Sequence, residues 1–298
     1  MSRRPLSEEF LTTRELADLL RVKERKIYEL AGDNALPFTR VTGKLLFPRR
    51  MIDAWLSRNT ELSASLAPMV DPPRVAAGSH DPLLEWTLRN SRCQLAMLFD
   101  GSLDGLNRLA RREAVVAGMH IHEDGDAQWN VSTVTRAMPT EPIVVVEWAW
   151  RQRGLIVAPE NPLGLSSPAD LAGHRVVPRQ AEAGAQQLLR ELLAASSVAE
   201  ESIEFLAPVR SEADLALAVL NGRAEVGLGL ESVAREHGLG FVPLVRERFD
   251  LVIWRRLWFE SPLQALFGFA RSDAFRTRAE EFGGYDVSGL GTVHYNGP

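Results

Sequence analysis

The chain has 298 residues, 45% hydrophobic and 24% charged, with a formal net charge of -5. That is enough for two domains of ordinary globular composition, and no apolar run approaches the roughly 20 residues needed to span a bilayer. The two arginines of MSRRPLSEEF precede no apolar stretch of the secretory kind, and one cysteine, Cys93, excludes an internal disulfide or a cysteine-based zinc site. A cytoplasmic protein with no membrane partner is expected, and Cys93 reads as a small buried hydrophobe.

Charge divides the chain. Residues 1–60 hold 12 Lys+Arg and 8 Asp+Glu, 12 − 8 = +4, which leaves 22 basic and 31 acidic residues, 22 − 31 = -9, for the rest. A basic head on an acidic body suggests that the head alone meets a polyanion.

In the head, Thr12 and Glu15 have capping-box spacing, and Leu16, Leu19 and Leu20 then recur on one helical face. A second helix is predicted from about Lys23, with Ile27 and Leu30 inward. Lys23, Arg25, Lys26 and Glu29 lie on its outer face. Two short helices joined by so tight a turn form a helix-turn-helix, and a basic second helix suits the major groove of double-stranded DNA. Residues 36–47 read as two strands turning at Thr42-Gly43-Lys44, a wing on which Arg40 and Lys44 flank the turn. Pro48 is placed in the first turn of a third helix whose Met51, Ile52, Trp55 and Leu56 close the core. The DNA-contacting candidates are Lys23, Arg25, Lys26, Arg40 and Lys44. The segment resembles the excisionase-type, MerR-related winged helix-turn-helix family. Thr12-Thr13-Arg14-Glu15-Leu16-Ala17, Ile27-Tyr28, Phe47-Pro48-Arg49 and Trp55-Leu56 carry the resemblance, which implies DNA binding.

Residues 58–73, polar and ending in Pro72-Pro73, read as a linker between a head at 1–57 and a body at 74–298. In the body, strands are predicted at 75–77, 95–99, 115–120, 143–148, 154–158, 175–177, 225–228, 241–243 and 250–254. Helices are predicted at 82–90, 103–112, 184–195, 212–221 and 232–237, with a pair after Leu263. The alternation indicates an α/β domain with a largely parallel sheet. Two strand-to-helix turns, Gly78-Ser79-His80-Asp81-Pro82 and Gly101-Ser102-Leu103-Asp104-Gly105, have the makings of an anion site. Their glycines allow close approach, their serines offer hydroxyls, and helix N-termini supply free N–H groups. Asp81, as N-cap, would occupy its own helix start. Ser79-His80-Asp81 cannot be a catalytic relay, since three consecutive residues do not reach that geometry. His120 and His122 would share a strand face, but no third metal ligand stands in register, so no metal, cofactor or catalytic residue is expected.

The body resembles the PBP-like sensor domain, a relative of periplasmic molybdate-binding proteins. The two glycine-serine turns, Ala117–His122, Trp129-Asn130, Arg151–Val157, Gly222–Glu231 and Phe241–Leu251 carry this resemblance. It implies a type II periplasmic-binding-protein fold, two α/β lobes joined by two crossings near residues 146–155 and 244–251, with ligand between them. The ligand-contacting candidates are then Ser79, Ser102, Arg151, Arg179 and Gln180, with His80 and His120 beside them. The implied ligand is an oxyanion such as molybdate or tungstate, or a related molybdenum species. The family's Gly-Ser-Gly-Thr-Arg-like turn is replaced at 178–187, where Arg179, Gln180 and Gly184 persist and Glu182 enters. That departure points to a larger or less charged ligand. The whole reads as a one-component transcriptional regulator, a homodimer that senses a small effector. The alternatives are an enzyme on a periplasmic-binding-protein-like fold with a DNA-tethering head, using His120 or His122 for proton transfer, and an excisionase-type architectural factor. The sensor-sized body counts against the second.

Overall fold

The structure is a computed structural model that describes residues 10–41, 43–58, 71–123, 129–181 and 183–298. The chain divides into two compact units, Met1–Val70 and Asp71–Pro298.

In the first unit, β1 (Phe10–Thr12) runs into α1 (Thr13–Leu20). The capping box forms as the spacing predicts: Glu15 N–H donates to Thr12 Oγ1 at 3.3 Å, and Thr12 N–H donates to Glu15 Oε2 at 2.7 Å. Arg21, at φ 54°, ends α1 in the left-handed region and turns the chain into α2 (Glu24–Gly32), with Lys23 at the N-cap. Then come β2 (Thr39–Val41), β3 (Lys44–Pro48) and α3 (Arg49–Arg58). The sheet order is β1-β3-β2, so the wing gains a third strand that the sequence did not announce. Pro48 ends β3 instead of opening the helix. Leu16, Ile27, Leu36, Phe47 and Ile52 form the core. Met51, expected inside, is 56% exposed: one helical position from Ile52 turns it about 100° away. Leu19 also faces solvent. Of the predicted wing turn, Thr42 lies outside the described residues; Gly43, at φ 78°, supplies the left-handed conformation the turn requires.

The second unit is built on one ten-stranded mixed sheet. Its order is β5-β4-β6-β11-β7-β10-β8-β9. One lobe carries β4 (Val75–Gly78), α4 (Pro82–Asn90), β5 (Ala96–Phe99), α5 (Ser102–Ala110), β6 (Val116–Met119) and α6 (Val131–Ala137). The other carries β8 (Arg175–Val176), α7 (Gly184–Ala195), β9 (Glu204–Phe205), α8 (Glu212–Leu220), β10 (Val226–Leu230) and α9 (Glu231–Glu236). Two 15-residue strands, β7 (Ile143–Val157) and β11 (Gly240–Trp254), pair antiparallel and run through both lobes. Each replaces two strands predicted from sequence. They also correct the largely parallel expectation: β4/β5, β4/β6, β8/β9 and β8/β10 are parallel, whereas the middle of the sheet is antiparallel. The chain returns to the first lobe through α10 (Ser261–Ala270) and α11 (Asp273–Phe282). It ends in β12 (Tyr285–Asp286) and β13 (Val293–Asn296), both paired with β7.

The two lobes have separate apolar cores. The first is centred on Trp148, Phe249, Leu251 and Phe275; the second lies on both faces of β10, around Leu155, Leu189 and Leu228 and around Ile156, Leu215 and Val233. Cys93 is buried. Gly78, at φ 103°, lets β4 meet β6, because a Cβ there would run into the backbone of Gly118. Among the described residues no helix is long and apolar enough to cross a membrane.

Candidate functional site

The first unit presents cations on its second helix and wing. Lys23, Arg25 and Lys26 are exposed along the start of α2, while Ile27 turns into the core. Arg40 on β2 and Lys44 on β3 are exposed too. Lys26 Nζ donates to Glu29 Oε1 at 2.5 Å; Lys23, Arg25, Arg40 and Lys44 have no ion pair among the described residues. Tyr28 is exposed beside them.

In the second unit, ionised side chains converge where β7 and β11 pass between the lobes. Arg151 and Arg153 alternate onto one face of β7, and Glu247 of β11 stands opposite Arg151 in register. All three are at most 1% exposed. Arg151 donates to Glu247 Oε1, and also to Asp81 Oδ2 at 2.9 Å. Arg153 donates to Glu247 Oε2 at 2.8 Å and to Glu212 Oε1 at 3.1 Å. Arg179 pairs with the same Glu212 Oε1 at 3.0 Å, and donates to the carbonyls of Val209 and Arg210. Asp81 caps α4 by accepting from Leu84 N–H at 2.6 Å, and accepts from Tyr285 at 2.7 Å.

A hydrogen-bonded line leads out of this cluster. His120 Nδ1 lies 3.1 Å from Glu247 Oε2, and its Nε2 lies 2.8 Å from Ser79 Oγ. The His120 N–H donates to Ser102 Oγ at 3.3 Å. The other lobe closes over His120 at Gly184, where a Cβ would stand 2.8 Å from the His120 carbonyl oxygen.

Three guanidinium groups thus meet three carboxylates, Asp81, Glu212 and Glu247, and the cluster has no formal charge. Burial opposes ionisation of Glu247, but Arg151, Arg153 and His120 outweigh it and hold the carboxyl well below its usual range. Glu212 is likewise penalised by burial and pulled down by Arg153 and Arg179, to about 2. Burial lowers His120 despite Glu247, so the imidazole is neutral. Burial also pushes Tyr285 well above 10, with the Asp81 carboxylate adding to it, so the phenol keeps its proton and donates it.

Of the residues singled out from sequence, Ser79, Ser102 and His120 come together directly, Arg151 joins them through Glu247, and Arg179 through Glu212, Arg153 and Glu247. Gln180 is half-buried beside Arg179. His80 turns away: its Nε2 lies 2.6 Å from Glu85 Oε2. His122 also parts from His120. It pairs with Glu191 at 2.9 Å and stacks edge-on to Trp129, and no group of three metal-ligating side chains occurs among the described residues. Glu182, which enters the turn at 178–187, lies outside the described residues.

Arg153, Glu212, Glu247 and Tyr285 were missed. The available signal was charge inside an apolar strand, since IVVVEWAWRQRGLIV places Arg151 and Arg153 two apart in an otherwise buried run. Such charges need buried partners.

Residues 85–271 match the family described as PBP superfamily domain, and residues 10–60 match that described as Helix-turn-helix domain. A Bacillus subtilis (strain 168) relative named "Uncharacterized protein YvgK" is 24% identical over 300 residues, covering 95% of this chain and 96% of its own. Among solved structures, a putative phosphate ABC transporter substrate-binding protein with bound phosphate, from Clostridium perfringens, is similar at a TM-score of 0.51. It is 14% identical and covers 70% of this chain and 97% of its own, a likeness of fold alone. PhnD1 from Prochlorococcus marinus, in complex with methylphosphonate, is 11% identical with a TM-score of 0.48, over 72% of this chain and 92% of its own.

Proposed function

The chain belongs to the PBP superfamily, and from that premise we propose that it is a one-component transcriptional regulator: its head binds double-stranded DNA and its two-lobed body senses a small molecule. The observation that carries this reading is the helix-turn-helix with exposed cations on its second helix and wing, in the same chain as a ligand-binding fold. Lys23, Arg25, Lys26, Arg40 and Lys44 supply the phosphate and base contacts. Two heads in a homodimer would double the DNA contacted and set the half-site spacing. Such a protein works in the cytoplasm, where its DNA is.

The effector site lies where the lobes meet, around Ser79, Ser102, His120, Arg151, Arg179 and Gln180, with His80 at its margin. Charge balance bears on the effector's nature. Arg151, Arg153 and Arg179 are already matched by Asp81, Glu212 and Glu247, so a molybdate or tungstate dianion would add two uncompensated charges unless a carboxylate left. The effector therefore has little net negative charge. It acts by its different affinity for the closed and opened arrangements of the lobes.

Fluorescence anisotropy with labelled DNA at several salt concentrations tests the DNA half, and an affinity that does not fall with salt would refute it. For the ligand half, 5 mM molybdate or tungstate should leave the melting temperature unchanged. A clear rise would restore the oxyanion and defeat the charge argument.

One observation favours an enzyme instead. Ser79 Oγ, His120 and Glu247 follow one another as a hydroxyl, a base and an orienting acid do in nucleophilic catalysis. Against it, Arg151 and Arg153 already neutralise Glu247, and the burial that keeps His120 neutral disfavours the imidazolium such chemistry requires. Hydrolysis of p-nitrophenyl acetate that is lost in Ser79→Ala would support the enzyme.

A further inference from the structure

Outside the buried cluster, two polar contacts join the lobes directly. Asp100 follows β5, two residues before Ser102, and its Oδ1 accepts from Arg210 Nη1 at 2.9 Å. Arg210 belongs to the other lobe and stands two residues before Glu212, the first residue of α8. His122, two residues past His120, places Nδ1 2.9 Å from Oε2 of Glu191, on α7 of the other lobe. The Trp129 ring, edge-on at 5.0 Å between centroids, braces that imidazole. Arg210 and Glu191 are exposed, whereas Ser102, His120 and Glu212 are buried. Both contacts therefore lie on the solvent side of the site, at the mouth of the cleft. Other exposed ion pairs, such as Arg108–Asp104 and Arg190–Glu200, stay within one lobe.

Each contact is tied to the site behind it. The Arg210 carbonyl accepts from Arg179 Nη2 at 2.7 Å, and the Val209 carbonyl from Arg179 Nε at 3.3 Å. Arg179 thus sets the loop from which Arg210 reaches Asp100. Likewise α7 starts at Gly184, against His120, and carries Glu191 about two turns further on.

We propose that Asp100–Arg210 and His122–Glu191 form a latch across the mouth of the cleft, so that contacts outside the effector site add to the preference for closed lobes. Each is an exposed pair, worth roughly a two- to fivefold change in the open-to-closed ratio. Because they are far apart in sequence and share no partner, their effects multiply. The latch concerns regulation of the effector cleft and rests on that reading for its consequence: an effector that favours closed lobes loses affinity as the closed fraction falls.

Double electron–electron resonance on the full chain reads the lobes without an effector. Nitroxides at Ala110→Cys and Ala195→Cys, exposed at the ends of α5 and α7, report the distance between lobes, while Cys93 is buried and stays unlabelled. Labelled chains are diluted with unlabelled ones, so that only distances within a chain are read. Arg210→Ala and Glu191→Ala change exposed side chains and should leave folding intact. The wild type should give one closed distance. The double variant should add a longer one, with its open-to-closed ratio raised roughly four- to twentyfold and each single variant in between. Arg190→Ala, which cuts a pair inside one lobe, should keep the wild-type distance. A double variant with the wild-type distribution, or an Arg190→Ala chain that opens as far as the double variant, would overturn the latch. Anisotropy on labelled DNA keeps this apart from the regulator reading. A double variant that opens with DNA affinity unchanged supports the latch and counts against lobe movement as the signal to the head.

Discussion

Replacing Glu212 by Gln keeps the side chain's shape and removes its charge, so it isolates what the carboxylate does for the cluster. In the folded protein Glu212 is held at about 2 against an ordinary 4.5, by Arg153 and Arg179 acting over the cost of burial. A shift of that size is worth about 3 kcal/mol at neutral pH, at about 1.4 kcal/mol per unit. This is an upper figure, because burial holds the Arg179 guanidinium below its own usual value and part of the gain is spent on burying that partner. For a group lowered on folding, the stabilisation is full above the unfolded value and lost as pH falls through the folded one. The wild type should therefore be destabilised between about pH 4.5 and pH 2. The variant should start about 2–3 kcal/mol lower at pH 7, melting roughly 5–10 °C earlier for a domain of this size. The gap should narrow on acidification, because Gln cannot lose a charge. Urea unfolding followed by circular dichroism at pH 7, 5, 4 and 3 measures it. A loss below about 1 kcal/mol at pH 7, or a gap that stays constant down to pH 3, would show that the cluster does not work as derived.

In the head, Arg25→Ala should weaken DNA binding and lower the slope of log affinity against log salt by about one, with the fold intact by circular dichroism; an unchanged slope would remove α2 from the interface. Thr12→Ala removes the hydroxyl half of the capping box, keeping the backbone N–H of residue 12 on Glu15, and should cost the first unit about 1 kcal/mol in chemical denaturation. Gly78→Ala meets both a positive φ and the backbone of Gly118, so the second unit should express poorly or melt far below wild type. Tyr285→Phe removes the proton given to Asp81 and should cost roughly 1–3 kcal/mol by thermal melting, since a buried carboxylate oxygen loses a donor.

Much of the fold was legible locally. The helices at 82–90 and 184–195 have the predicted bounds. At 82–90, an N-cap aspartate followed by proline marks the start chemically. The head's helix, turn, helix and wing were similarly readable, because a capping box and a 3.6-residue stripe need no distant partner. Where distant partners decide, the sequence reading fell short. Residues 149–153 interrupt an apolar run with Arg151 and Arg153, and read alone they break one strand into two. They are tolerable inside β7 because Glu247, far along the chain, lies across from Arg151 and bonds both arginines.

The candidate site shows the same limit with more consequence. The two glycine-serine turns and Arg151 could be chosen from local chemistry and resemblance, and in the structure they do converge. An arginine chosen that way looks like an open hand for an anion. Whether Arg151 is open depends on Asp81, at the N-cap of α4, and on Glu247 of β11; whether Arg179 is open depends on Glu212 of α8. Taken together the cluster is neutral, and the buried atoms it leaves unmatched among the described residues are of both kinds, Arg151 Nε and Arg153 Nη2 as donors and Glu212 Oε2 as acceptor. A ligand class argued from the arginines alone would be anionic; argued from the arginines together with the carboxylates that already match them, it carries little net charge.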